Sequence, residues 1–314
     1  MHKPLYIIAA LSAISFSSLA QSNGNEVFIK QLDGPNVAKV GQGIGGGTVT
    51  NSTIAIYQKG SGNQATAYQG GVPDFAIDPS GTSIGSEIAI EQRGSENTAL
   101  VEQGSDGGYS TDNEAFIKQK GTGNNAYILQ GYYTGGTESN VATIEQIGND
   151  NTASISQDFG QAVNSVAEIV QKGSENKASI VQGIYGPVVN STASISQQGE
   201  FNNANIRQGE GGEISYTYDE ATILQRGEYN NAIIEQGVEG LTDNSIATIE
   251  QTGSYHFAST VQSNVTDGEI TIQQRGSEHE AVVLQSGTDG VVNIQQSGSG
   301  SMAYVGQGTA VVIP

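Results

Sequence analysis

An isoleucine, a glutamine, an alanine and a second glutamine recur at fixed spacing eleven times along the chain. The first glutamines are Gln31, Gln58, Gln92, Gln119, Gln146, Gln171, Gln197, Gln225, Gln251, Gln274 and Gln296. Eleven residues after each stands a second, at Gln42, Gln69, Gln103, Gln130, Gln157, Gln182, Gln208, Gln236, Gln262, Gln285 and Gln307. Isoleucine lies two residues before every first glutamine, as at Ile29, Ile56, Ile169, Ile272 and Ile294. Alanine lies seven residues after it, as at Ala38, Ala65, Ala178, Ala281 and Ala303. Asparagine fills the slot five residues after the first glutamine in eight copies, Asn36, Asn63 and Asn176 among them, and His256, His279 and Ser301 take that slot in the last three. The step between copies runs from 22 residues (Gln274 to Gln296) to 34 (Gln58 to Gln92). A frame held this strictly restricts the chain to a repeat architecture in which each copy is one structural unit.

Within a copy the unit reads as strand, turn, strand. Ser165, Ala167, Ile169 and Gln171 alternate with Val166, Glu168 and Val170, and after Lys172 to Glu175 the set Asn176, Ala178, Ile180 and Gln182 alternates again. Period-two alternation places each recurring set on one face of a strand, and the glycine between them supplies the backbone freedom of a tight arc. Two strands cannot bury that face alone, but stacked copies can. The expected fold is therefore all-β, a parallel two-sheet β-solenoid of eleven strand-turn-strand rungs with the spacings of an amyloid-like cross-β stack. At about 4.8 Å per rung the column is roughly 50 Å tall. Inward glutamines and asparagines fit such a core because each amide can donate to one neighbouring rung and accept from the other. Length varies only between copies; the longest link, 70–85, carries Pro73, Asp74, Asp78 and Pro79.

Residues 1–20 read as a secretory signal peptide, with His2 and Lys3 before an apolar stretch and Ser18-Leu19-Ala20 as the small-residue cleavage site. Residues 21–24 form a short leader, 25–308 the solenoid and 309–314 a short apolar tail. The apolar stretch is too short for a membrane span, so no membrane insertion is expected. There are no cysteines and the net charge is −20. So acidic a chain is a poor partner for nucleic acid, whose binding rests on Lys and Arg. No catalytic constellation, cofactor-binding loop or metal set is legible: beyond residue 20 only two histidines occur, and Asp74, Asp78, Asp106 and Asp112 do not form a calcium-loop motif.

The spacing Ser-x5-Gln-x-Gly-x2-Asn-x-Ala-x3-Gln, as in Ser165, Gln171, Gly173, Asn176, Ala178 and Gln182, resembles the curlin repeat of bacterial curli. Ser52, Gln58, Gly60, Asn63, Ala65 and Gln69 follow it slot for slot, and the resemblance extends from Asn25 to Gln307. It implies a secreted subunit that assembles with copies of itself into an extracellular adhesive fibre of biofilm matrix. It also implies a curlin nucleator and an outer-membrane secretion channel as partners, and surfaces or matrix polysaccharide as contacts. The amide, isoleucine and alanine ladders are then the self-assembly residues. The alternative is a monomeric β-solenoid adhesin or surface-binding stalk.

Three further features stand out. His256 and His279 occupy one slot in adjacent rungs, so their rings stack about 5 Å apart; this reads either as plain replacement of asparagine or as a pair sensitive to pH or metal. A basic residue follows the first glutamine at Lys59, Arg93, Lys120, Lys172, Arg226 and Arg275. Aromatic residues such as Phe116, Tyr127, Tyr57 and Tyr68 point outward.

Overall fold

The computed structural model describes residues 6–9, 13–16, 22–71, 80–132, 136–157, 161–183, 188–209, 218–237 and 240–308. The tail 309–314, most of 1–20 and the centre of the 70–85 link lie outside the described residues. Rungs are numbered here by first glutamine, so rung 1 carries Gln31 and rung 11 carries Gln296.

Every copy of the frame forms two strands. In rung 6 these are Val166–Ser174 and Lys177–Gln182. Alternate residues are buried, as the pattern requires, with Ala167, Ile169, Gln171, Ala178, Ile180 and Gln182 inside. The first strand is longer than the alternation alone indicates. It runs through Gly173 to Ser174, and the chain bends only at Glu175, in the left-handed region at φ 55°. A second left-handed bend at Asn164 (φ 51°) precedes the strand. Two such bends per rung turn a strand pair into one coil of the solenoid.

The first strands make a parallel sheet of 12, eleven from the rungs and one from Tyr6–Ala9, and the second strands make the larger part of a sheet of 13. The frame residues pair in register: Ile144, Ile169 and Ile195 align, as do Gln146, Gln171 and Gln197, and a register shift lies past the frame, between Gln262 and Val265. The structure adds a third element to the two expected sheets. Short strands in the links, Thr48–Thr50, Thr82–Ile84, Tyr109–Thr111, Gly136–Glu138, Gln161–Val163 and Val188–Val189, stack with Ser22–Asn23 into a sheet of seven. Its inward row is Val49, Ser83, Ser110, Thr137, Ala162 and Val188, all buried. Ser22–Asn23, within the segment read as a short leader, pairs there with Val49 and Thr50. In a later link Thr242–Asp243 pairs instead with Val265 and Thr266.

The core is a set of single-residue columns. The isoleucine column (Ile56 to Ile272) and the alanine column (Ala38 to Ala281) are almost wholly buried. Burying one isoleucine contributes about 1.5–3 kcal/mol before the entropy of ordering it, so the column is a major stabilising term. A glycine column runs beside it. Gly60, Gly94, Gly121, Gly148, Gly173, Gly199, Gly227, Gly253 and Gly276 have φ between 112° and 128°, and a Cβ on Gly173 would overlap the carbonyl of Gly199. Glycine is needed both for the dihedral and for the close approach of consecutive arcs. Gly173→Ala should therefore lower the denaturant midpoint sharply, by a free energy of about 3 kcal/mol or more. Gly136→Ala, where a Cβ meets nothing within 4 Å, should leave the midpoint nearly unchanged.

Candidate stacking faces and the amide ladders

Each first glutamine sits on the inward face of its strand, directly beneath the glutamine of the next rung, because the strands pair in register. Its Nε2 donates to the Oε1 of that next glutamine, from Gln31 to Gln58 and onward to Gln296, at 2.6–2.9 Å in all ten steps. The second glutamines do the same from Gln42 and Gln69 to Gln307, at 2.8–3.1 Å. The spare amide hydrogen of the interior glutamines goes to a backbone carbonyl, as from Gln171 to Thr152 (3.0 Å) and from Gln182 to Val166 (3.5 Å). All twenty steps point the same way, donor in the earlier rung and acceptor in the later.

The asparagine column runs in the other sense. Asn63 Nδ2 donates back to Asn36 Oδ1, and the pattern continues to Asn230 at 2.9–3.0 Å. Each Oδ1 also accepts the backbone N–H of the next asparagine, as from Asn63 to Asn36 at 3.1 Å. Each Nδ2 also reaches forward to the glycine carbonyl of the next arc, Asn63 to Gly94 and Asn176 to Gly199, at 2.7–3.0 Å across the eight asparagines. Asparagine and glycine are thus one device: the side chain ties the arc of its own rung to the arcs on both sides. The spacing pattern displayed the two residues but not this bond, which depends on the glycine carbonyl pointing along the column.

A third polar column escaped the ladder reading, although its serines form the first slot of the repeat pattern. It runs Asn25, Ser52, Ser86, Asn113, Asn140, Ser165, Ser191, Asp219 and Ser245. In rung 4 Asn113 Nδ2 donates to Thr137 Oγ1 at 2.7 Å, and its Oδ1 accepts the Asn140 N–H at 2.8 Å. In rung 8 Asp219 takes that place: it accepts from Thr242 Oγ1 at 2.5 Å and from the Ser245 N–H at 2.9 Å. Burial pushes its carboxyl up to about 6, against which the Thr242 and Ser245 bonds act. Glu102, also buried, is raised to about 6 for the same reason, with Ser105 opposing. Paired exposed charges such as Lys118 with Glu145 (2.6 Å) and Arg207 with Glu235 (3.2 Å) decorate the outside and contribute little each.

The two ends of the column differ. At rung 1, Gln31 Oε1 is buried and has no hydrogen-bond partner, as the first acceptor of a one-way ladder must be. At rung 11, Ala303 and Val305 are only partly buried, whereas Ala281 and Val283 one rung below are fully enclosed. The backbone of Tyr6–Ala9 and Ala13–Phe16, within the segment expected to be a signal peptide, pairs with rung 1.

The family profile of the curlin associated repeat matches residues 110–139, 137–158, 219–253 and 266–298. Each stretch contains a complete set of ladder positions: Gln119, Asn124, Ala126 and Gln130; Gln146, Asn151, Ala153 and Gln157; Gln225, Asn230, Ala232 and Gln236; Gln274, His279, Ala281 and Gln285. The chain carries curlin associated repeats. Its rungs outside those stretches pair in the same register and carry the same columns. Comparison with curated proteins returns no match. Curlin repeats on a β-solenoid mark a structural subunit of the curli type, a non-enzymatic class. Among the described residues no helix is long and apolar enough to cross a membrane.

Asp219 yields a signed prediction. In the unfolded chain its carboxyl ionises near 3.8, and in the folded chain near 6, so folding takes up a proton between those values. Stability at this site is therefore lowest above pH 6 and is gained as pH falls towards 4. Asp219→Asn recreates the Asn113–Thr137 arrangement. It should raise unfolding free energy at pH 7 by about 1–3 kcal/mol and flatten the pH dependence between 7 and 4, read by denaturant titration.

Proposed function

We propose that this curlin-repeat protein is a secreted subunit that stacks end to end with copies of itself into an extracellular curli-like fibre. The observation that carries this reading is the one-way polarity of the ladders. Rung 1 ends in the unpartnered buried acceptor Gln31 Oε1, and rung 11 ends in the glutamines from which the next donation would come. A second copy placed on rung 11 in register would bring Gln296 to its Gln31 and Gln307 to its Gln42, and would cover Ala303 and Val305. Contact of this kind is heterologous, and because a solenoid rung repeats by translation it propagates instead of closing a ring. Open sheet edges at both ends add unpaired backbone groups that a further copy satisfies.

On this reading residues 1–20 are removed on export, which bares rung 1 of the strands Tyr6–Ala9 and Ala13–Phe16. The ladder residues, from Ile29, Gln31, Asn36, Ala38 and Gln42 to Ile294, Gln296, Ala303 and Gln307, then serve both the monomer core and the junction. A curlin nucleator and an outer-membrane channel are the partners that such a subunit needs, and the fibre supports adhesion to surfaces or matrix polysaccharide.

The test is release of chain 21–314 from denaturant at micromolar concentration, followed by thioflavin fluorescence and negative-stain imaging. Unbranched fibres are expected, with a lag that sonicated seeds shorten. A folded, β-rich monomer that persists with and without seeds would contradict the proposal and leave the solenoid stalk.

A further inference from the structure

The asparagine column changes chemistry in its last three rungs. His256 and His279 are each about 1% exposed, and their rings stack with centroids 5.1 Å apart and planes within 4°. The His256 N–H donates to Asn230 Oδ1 at 3.2 Å, continuing the column. Beyond that point the acceptors are ring nitrogens. The His279 N–H donates to His256 Nδ1 at 3.3 Å, and the Ser301 N–H donates to His279 Nδ1 at 3.1 Å. A backbone N–H can only donate, so both Nδ1 atoms must be unprotonated and both rings must carry their hydrogen on Nε2. That hydrogen has its own acceptor in the same turn, the carbonyl of Thr252 at 3.2 Å for His256 and of Arg275 at 3.0 Å for His279. The neutral imidazole copies the asparagine side chain: Nδ1 stands in for Oδ1, and Nε2–H for Nδ2–H.

The copy fails in acid. A proton on Nδ1 turns an acceptor into a donor aimed at another donor, and two imidazolium rings 5.1 Å apart repel. No carboxylate stands inside to offset this. The inward residues of rungs 9 to 11 are uncharged, and the titratable groups of the surrounding turns, Arg226, Glu228, Tyr229, Tyr255, Arg275 and Glu278, are exposed, with Glu280 half-buried on the following strand. Burial first, and then the neighbouring His279, hold His256 below the ordinary imidazole value of 6.5, while its bonds to the Thr252 and Gly276 backbone oppose them. The sign follows: a base whose folded value is depressed contributes full stability above 6.5 and loses it as pH falls below. Asparagines Asn36 to Asn230 have no such step.

We propose that His256 and His279 make the C-terminal stacking face acid-labile: protonation removes the acceptors of the His279 and Ser301 amides and loosens rungs 10 and 11, while the asparagine-built N-terminal face stays closed. The partner of that face is a second copy of this chain, so the consequence for growth rests on the fibre reading. The latch itself does not.

Amide hydrogen exchange on the folded full chain, followed by NMR, tests the latch directly. Between pH 7.5 and 5, after correction for intrinsic rates, protection at His279 and Ser301 should fall about tenfold or more relative to Asn151 and Asn176. The double variant His256→Asn/His279→Asn should abolish the difference. Equal loss in the variant, or no selective loss in the parent, would overturn the proposal. Should the variant fail to fold, imidazole 15N shifts of the parent decide: both rings as Nε2–H tautomers at neutral pH are expected, and an Nδ1–H tautomer on either overturns it. Seeded elongation then reads the consequence, with parent growth falling about tenfold between pH 7.5 and 5 and variant growth unchanged. If neither chain elongates at any pH the fibre reading fails, while the exchange result still decides the latch.

Discussion

An inward amide in this column can be satisfied only by the rung before it and the rung after it. Each interior glutamine gives one hydrogen to the next glutamine and receives one from the last, and each interior asparagine does the same in the opposite direction. Slipping a first strand by one residue would bury outward groups such as Glu168 and leave its ladder glutamine, Gln171 in that rung, without partners, at about 1–3 kcal/mol for each unsatisfied group. Parallel pairing and exact registry of isoleucine on isoleucine follow from that penalty as much as from hydrophobic burial. The glycine column follows too, because the arcs must come close enough for Asn176 to reach the carbonyl of Gly199.

The same constraint makes the ends of the molecule unlike its middle. A one-way ladder has a bare acceptor at one end, Gln31 Oε1, and at the other a donor, Gln296 Nε2, held only by the carbonyls of Glu280 and Ser301, so the column carries a direction. Copies of such a column can continue one another only head to tail. In the interior the columns tolerate departures where a substitute reproduces the hydrogen-bond pattern. His256 keeps an acceptor and a donor in the asparagine positions, and Asp219 keeps two acceptors where a serine or asparagine stands in other rungs. Each substitute adds a proton equilibrium that an amide or hydroxyl lacks, and the two respond to acid with opposite sign.

Strict periodicity made the larger part of this fold legible. Ile169, Gln171, Ala178 and Gln182 could be assigned to one inward face because alternation over two short runs has a single β interpretation, and the recurrence of the frame demanded stacking. The third sheet was not legible, since its strands are three residues or fewer and its inward row mixes valine, serine, threonine and alanine, as at Val49, Ser83 and Thr137. Nor was the sense of the amide ladders, which depends on side-chain rotation and not on residue type. Thr260 shows a limit of another kind: it fills an aliphatic column with a hydroxyl that has no partner, a departure visible in sequence whose burial only the structure reveals. His256 and His279 were expected to stack, but their roles as backbone acceptors came from the positions of the Nδ1 atoms.

The central claim is that the ladders run without a break from one molecule into the next. Cryo-electron microscopy of fibres grown from chain 21–314 tests it most directly. The account predicts a single parallel solenoid with a rung spacing of about 4.8 Å, an axial repeat of eleven rungs, and Gln296 and Gln307 of one subunit stacked on Gln31 and Gln42 of the next. A fibre in which intact solenoids pack side by side, or in which rung 11 meets rung 11, would contradict it.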